Sequence, residues 1–110
     1  MNRDEAHLHD MLAAARLACQ YVEGISRGSF LADTEKQDAV IRRLELIGEA
    51  AGRVSAEYRE ANSAIPWRTL IGMRNILIHD YGNVDTAIVW ETVQSSIPDL
   101  IRQVEAALGD

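Results

Sequence analysis

The sequence has little of what marks secreted, membrane-embedded or disulfide-bonded proteins. Its 110 residues include one cysteine, Cys19, which has no partner for an internal disulfide bond. No apolar run approaches the roughly 20 residues of a membrane-spanning helix, and residues 1–7 are polar, unlike a signal peptide. We therefore expect a cytoplasmic protein in which Cys19 is a buried, reduced thiol on an apolar helix stripe.

Lysine is almost absent as well, since ten of the eleven basic residues are arginine and Lys36 is the exception. Seventeen acidic residues give the chain a net charge of −6. Nonspecific binding to nucleic acid depends mainly on neutralising phosphates with basic side chains, so this balance argues against a protein that coats nucleic acid. A local phosphate site is still compatible with the composition, because arginine is suited to bidentate phosphate contacts.

The alternation of apolar and polar residues that marks a half-buried β-strand is also missing. Apolar residues instead recur at the three- and four-residue spacing of amphipathic helices, which predicts four helices. They cover about 4–26, 33–58 and 66–79, followed by a stretch after Asp85 that Pro98 should kink or split. The chain is therefore predicted to be a single domain over residues 1–110, an all-α, up-and-down bundle of four to five helices.

The sequence also predicts how the second and third helices pack. Glycine costs a helix about 1 kcal/mol relative to alanine, yet the centre of the second helix is rich in small residues, namely Gly48, Ala50, Ala51 and Gly52. We expect another helix to approach closely there, either within the chain or across a dimer. The third helix has apolar residues in nearly every direction, which predicts a central helix buried on most sides.

Three polar side chains interrupt or follow this apolar third helix: Arg74, His79 and Tyr81. Burying such groups is costly unless they are paired or used. The arginine is permanently cationic, the histidine exchanges a proton near neutral pH, and the tyrosine brings a hydroxyl. Together they could bind a phosphate and move a proton beside it, which is the chemistry of a metal-free ribonuclease.

Helical geometry separates two of these groups. At about 100° per residue, Arg74 and Tyr81 lie about 20° apart, whereas His79 lies about 140° from Arg74. His79 shares its face with Asn75, whose amide could orient the imidazole through a hydrogen bond. Arg74 and His79 would meet on one substrate if the helix ended at His79 and the turn redirected it, or if two copies of the chain each supplied part of the site.

Each of these three residues, taken alone, could have a purely structural role. Arg74 could be an ion-pair partner of Glu45 or Glu49 on the second helix. His79 could cap the end of a helix, and Tyr81 could be an aromatic residue at the edge of the core. The functional interpretation rests on the three residues as a set.

Neither a metal site nor a cofactor is expected. His7 and His9 are close in sequence, but on a helix they diverge by about 200° and make a poor metal pair. No cluster of cysteine, histidine and carboxylate residues elsewhere in the sequence supplies a better one.

The chain resembles the HepT-like ribonuclease toxins of the HEPN superfamily. Their signature is Arg, four residues, His, one residue, Tyr, which Arg74, His79 and Tyr81 match. The similarity covers roughly residues 40–100 and includes the segments 43–50, 65–68, 72–75, 77–79, 84–85 and 89–90.

The resemblance implies a homodimeric helical bundle that cleaves RNA without a metal ion, at a cleft formed by both subunits. Arg74 and His79 would be the catalytic residues, with Asn75 supporting the imidazole. The resemblance also implies a type VII toxin–antitoxin system, in which a partner nucleotidyltransferase antitoxin silences the toxin by transferring AMP to Tyr81. Two other functions are compatible with the residues: a non-catalytic helical module that binds a nucleotide or substrate for a nucleotidyltransferase, and a structural dimerisation protein.

Overall fold

The computed structural model describes residues 2–109, which contain helices and turns and no β-strand. The elements are α1 (Arg3–Tyr21), α2 (Arg27–Leu31), α3 (Thr34–Arg53), α4 (Ala56–Ala61), α5 (Trp67–His79), a 3-10 turn (Tyr81–Asn83), α6 (Thr86–Glu91), a π-helical segment (Thr92–Ser96) and α7 (Ile97–Leu108). The predicted all-α fold class is confirmed, with α2 and α4 as short additions to four long helical units. No helix among the described residues is long and apolar enough to cross a membrane.

The first helix ends earlier than its apolar stripe predicted. After Tyr21, the amide of Val22 turns back to the carbonyl of Cys19. Gly24 then adopts a φ of +77°, a left-handed conformation that glycine enters without steric cost. The side chain of Ser26 caps a separate short helix, α2, by accepting a hydrogen bond from the amide of Ser29.

The second predicted helix is likewise divided, because a residue from α1 holds the chain at the break. α3 ends at Arg53, and Ser55 caps α4 by accepting from the amide of Tyr58. The carboxylate of Asp4 accepts hydrogen bonds from both the amide of Ser55, at 2.8 Å, and its hydroxyl, at 2.7 Å. This contact joins residues 51 positions apart, so periodicity along the chain could not predict it.

The last helical unit is interrupted near Pro98, as predicted. Proline has no amide hydrogen to donate to the carbonyl four residues earlier. The residues just before it, Thr92–Ser96, widen into the π-helical segment, and α7 begins at Ile97. The unit therefore consists of two α-helices, α6 and α7, joined by the π-helical segment.

α3 is the centre of the fold, with α1 packed on one side and α5 on the other. The predicted central position of the third helix is wrong. α5 buries only Trp67, Leu70 and Leu77, and Ile76 is 62% exposed. The reason is that α3 packs against the inner side of α5, while no described residue of the same chain covers Ile76.

Candidate active site

Arg74 lies where α5 crosses α3, and Gly48 makes this crossing possible. A Cβ atom at position 48 would overlap the Cβ of Arg74 and would lie 2.6 Å from the carbonyl oxygen of Leu70. The close approach predicted at the small residues of the second helix is therefore confirmed at Gly48, and it is made within the chain. Gly48 was predicted to allow close packing, but that it makes room for Arg74 was not predictable from helical spacing.

The guanidinium of Arg74 has unused hydrogen-bond donors. Its Nη1 donates to the side-chain oxygen of Asn75 at 3.3 Å, and its Nε is buried without a partner in the structure. No carboxylate forms an ion pair with Arg74 among residues 2–109. An arginine that is half-buried and has no ion-pair partner can bind an anionic ligand, because guanidinium donors match the oxygens of a phosphate.

The structural alternative for Arg74 was an ion pair with a glutamate of α3, and the structure contradicts it. Glu45 lies 4.0 Å from Arg42, and Glu49 pairs with Arg53 at 2.8 Å. Both partners lie within one helical turn of the glutamate on the same helix. The acidic residues that could have neutralised Arg74 are thus engaged elsewhere.

His79 is exposed and is the last residue of α5. The helix ends there, as one of the two predicted arrangements required, but His79 keeps its helical position, about 140° around the axis from Arg74. The expected hydrogen bond between Asn75 and His79 does not occur among the hydrogen bonds of the described residues. The Asn75 oxygen accepts from Arg74 instead, since a charged donor is preferred to a neutral one. Within one chain, Arg74 and His79 therefore lie on different faces of α5.

Tyr81 lies beyond α5, in the 3-10 turn, and its hydroxyl donates a hydrogen bond to the Asp38 carboxylate of α3 at 2.7 Å. This bond raises the pKa of Tyr81, because it favours the protonated phenol, and the charge of Glu45 acts in the same direction. The residue is 54% exposed. Asp38 was not among the predicted site residues, and nothing in a single sequence connects two residues 43 positions apart.

An apolar groove of about 750 Å³ lies beside the site, between α5 and the α6–α7 unit. Its lining includes Met73, Leu77 and Leu100, with Ile76 and Ile88 among its exposed members. The large apolar residues that the structure leaves exposed between residues 2 and 109 all fall within 76–88, namely Ile76, Ile78, Tyr81 and Ile88. A concentration of exposed apolar side chains in one region marks an interaction surface.

Cys19 lies apart from this region, on α1. It is half-buried against the core, less completely than predicted, and desolvation raises the pKa of its thiol. Within residues 2–109, no group of three or more histidine, cysteine or acidic residues is arranged to hold a metal ion.

The chain is similar to known proteins over most of its length. The family described as ribonuclease HepT-like matches residues 11–107. A candidate RNase of Caldanaerobacter subterraneus is 38% identical over 108 residues, which are 98% of this chain and 96% of the relative. A candidate ribonuclease HepT of Thermococcus cleftensis is 39% identical over 99 residues, which are 90% of this chain and 90% of the relative. A candidate RNase of Methanocaldococcus jannaschii is 35% identical over 101 residues, which are 92% of this chain and 93% of the relative. No solved structure matches the chain significantly.

Proposed function

Since the chain belongs to the HepT-like ribonuclease family, we propose that it is the toxin of a type VII toxin–antitoxin system, cleaving RNA internally with Arg74 and His79. The reaction needs no metal ion and takes place in a cleft between two copies of the chain. A partner nucleotidyltransferase silences it by transferring AMP to Tyr81.

The observation that carries the proposal is that the guanidinium of Arg74 forms no ion pair with any carboxylate among residues 2–109. Its Nε is buried without a hydrogen-bond partner in the described part of the chain, and Glu45 and Glu49 of the neighbouring helix α3 are paired with other arginines. An RNA phosphate would supply the missing acceptors. In the transition state of phosphodiester cleavage the phosphorus gains a fifth ligand and its oxygens gain charge, which a fixed guanidinium stabilises.

His79 supplies the proton transfer in this proposal. It is exposed at the end of α5 and therefore accessible to a bound RNA strand. As a general base or acid, an imidazole can take the proton from the ribose 2′-hydroxyl or give one to the leaving 5′-oxygen. Attack by the 2′-oxygen breaks the bond from phosphorus to the 5′-oxygen and leaves a 2′,3′-cyclic phosphate.

The cleft is assigned to two subunits because one chain does not bring its two catalytic groups together. Arg74 and His79 lie on different faces of α5, and the exposed apolar residues Ile76 and Ile88 border the same region. A two-fold axis near α5 would cover these residues with the same surface of a second copy. It would also bring Arg74 of one subunit toward His79 of the partner subunit.

The role of Tyr81 follows from its position and exposure. Its ring is accessible to a modifying enzyme, and it lies two residues beyond His79. A transferred AMP would add bulk and a negative charge next to the phosphate site. In the unmodified protein, Tyr81 contacts RNA, and Asn75, bonded to Arg74, supports the catalytic pair.

The catalytic proposal is tested by incubating purified protein with total RNA in excess EDTA. Arg74→Ala and His79→Ala should each reduce cleavage by at least about 100-fold, the contribution typical of a catalytic acid, base or charge-stabilising group. His9→Ala and Arg102→Ala, which remove the same side-chain types from exposed positions elsewhere, are the controls. Cyclic phosphate ends would support attack by the 2′-hydroxyl, and a folded dimer without cleavage would favour the nucleotide-binding module instead.

The two-subunit cleft is tested by mixing two inactive variants. Unfolding and refolding Arg74→Ala together with His79→Ala produces heterodimers, in which one of the two clefts retains an intact arginine and an intact histidine from different subunits. Activity should return to about a quarter of the wild-type value, because half of the dimers are mixed and each has one of two clefts intact. A mixture as inactive as its components would place both groups in the same chain.

A further inference from the structure

Among residues 2–109, one long-range hydrogen bond attaches the segment that carries His79 and Tyr81 to another helix. Residues 79–83 are all exposed. Asp80 donates to the carbonyl of Ile76, and Asn83 bonds to Asp80 through both its amide and its side chain, so these bonds are local. Within the described chain, only the bond from the Tyr81 hydroxyl to Asp38, at 2.7 Å, joins this segment to another helix.

We propose that the Tyr81–Asp38 hydrogen bond is a latch that fixes the end of α5, and with it His79, in the position required for cleavage. Asp38 is then a positioning residue that acts through Tyr81. Nucleotide transfer to Tyr81 silences the ribonuclease by opening this latch. The inference rests on the proposed ribonuclease function and adds a mechanism for its regulation.

The chemistry of the modification explains why the latch opens. When the Tyr81 oxygen attacks the α-phosphorus of a nucleoside triphosphate, the bond from that phosphorus to the diphosphate breaks and the phenolic proton is lost. The resulting ester oxygen has no hydrogen to donate to Asp38. The new phosphodiester is also an anion, and it would lie next to the carboxylates of Asp38 and Glu45, whose charges both act on Tyr81. Repulsion between like charges therefore adds to the loss of the bond.

The latch differs from simple obstruction in what it predicts for unmodified protein. If AMP only blocked the RNA path, a protein lacking the hydrogen bond but carrying no AMP would cleave normally. If the bond positions His79, its removal alone slows the reaction. A hydrogen bond to a carboxylate is stronger than one between neutral groups. Among residues 2–109, no other long-range hydrogen bond at this end of α5 compensates for its loss.

The test compares kcat and KM of Asp38→Ala, Asp38→Asn and Tyr81→Phe on one RNA substrate. Asp38→Ala and Tyr81→Phe should each lower kcat about tenfold, the size of effect that loss of one charge-assisted hydrogen bond produces, and Asp38→Ala should change KM little. Asp38→Asn keeps an acceptor oxygen and should restore most of the rate. Glu35→Ala, which removes a negative charge from an exposed position on the same helix, is the control.

The double variant Asp38→Ala/Tyr81→Phe tests whether the two residues act as a pair. Because the bond can be lost only once, the double variant should be no slower than either single variant. Multiplied losses, or an Asp38→Ala protein as fast as Glu35→Ala, would overturn the latch.

The bond is also measured without catalysis, by spectrophotometric titration of Tyr81 in a Tyr21→Phe/Tyr58→Phe protein. Removing the Asp38 acceptor should lower the pKa of Tyr81 toward its ordinary value, since the hydrogen bond and the charge of Asp38 both raise it. An unchanged pKa would show that the bond is absent in solution and would overturn the latch. A wild type that shows the pKa shift but cleaves no RNA would instead overturn the proposed function, and the positioning role with it.

Discussion

The two sides of α3 are packed to different depths. Toward α1, the interface is closed, and Leu8, Met11 and Ile47 are completely buried. On the opposite side of α3, α5 is packed on its inner side only, so that Ile76 and Ile78 are exposed. The closed side contains the apolar contacts that stabilise the fold, whereas the open side carries the unpaired arginine, the exposed histidine and the apolar groove. Substitutions on the two sides should therefore affect different properties.

The largest expected difference between the two sides concerns core truncation. On the closed side, changing the fully buried Met11 to alanine should lower the free energy of unfolding by about 2–5 kcal/mol. Ile76→Ala should cost less than about 0.5 kcal/mol at low protein concentration, because little of the side chain is buried within one chain. Denaturation in urea measures both. A loss at Ile76 that grows with protein concentration would place it in a subunit interface.

A second comparison uses two glycines that both face α5. Gly48→Ala should destabilise the protein by about 1–3 kcal/mol and reduce RNA cleavage, because the new Cβ would push against Arg74 and the backbone of Leu70. Gly52→Ala meets only the Cγ1 of Ile71, at 4.0 Å, and should gain up to about 1 kcal/mol from helix propensity. Thermal unfolding and a cleavage assay check the pair. Equal stability of the two variants would mean that α3 and α5 do not cross closely at Gly48.

The smallest expected effect concerns Asp4, on the surface of the closed side. Hydrogen bonds from the amide and hydroxyl of Ser55 hold the pKa of Asp4 below its usual value. The carboxylate therefore contributes stability above the pKa of the unfolded chain, about 4, and this contribution is lost as the pH falls through the lower folded-state pKa. Asp4→Asn should lower stability slightly at pH 7 and make it less dependent on pH below about 4. Parallel stability curves for wild type and variant over that range would contradict this assignment.

The properties that were predictable from the sequence all depend on neighbouring residues along the chain. Apolar spacing identified the all-α class and the four long helical units, and Pro98 indicated where the last unit is interrupted. Gly48 indicated a close helix crossing, because glycine within a helix needs a compensating contact. Arg74, His79 and Tyr81 were recognisable as a set because their spacing is fixed within one segment.

The tertiary structure alone decided how these parts meet. Asp4 divides the second predicted helix at Ser55, and Asp38 binds Tyr81, across 51 and 43 residues respectively. The central position belongs to α3 rather than α5, and Glu45 and Glu49 pair with other arginines, so that Arg74 has no ion-pair partner within residues 2–109. The physical reason is that periodicity and spacing describe one helix at a time. Hydrogen bonds, ion pairs and buried faces between distant residues are defined only when the helices have packed together.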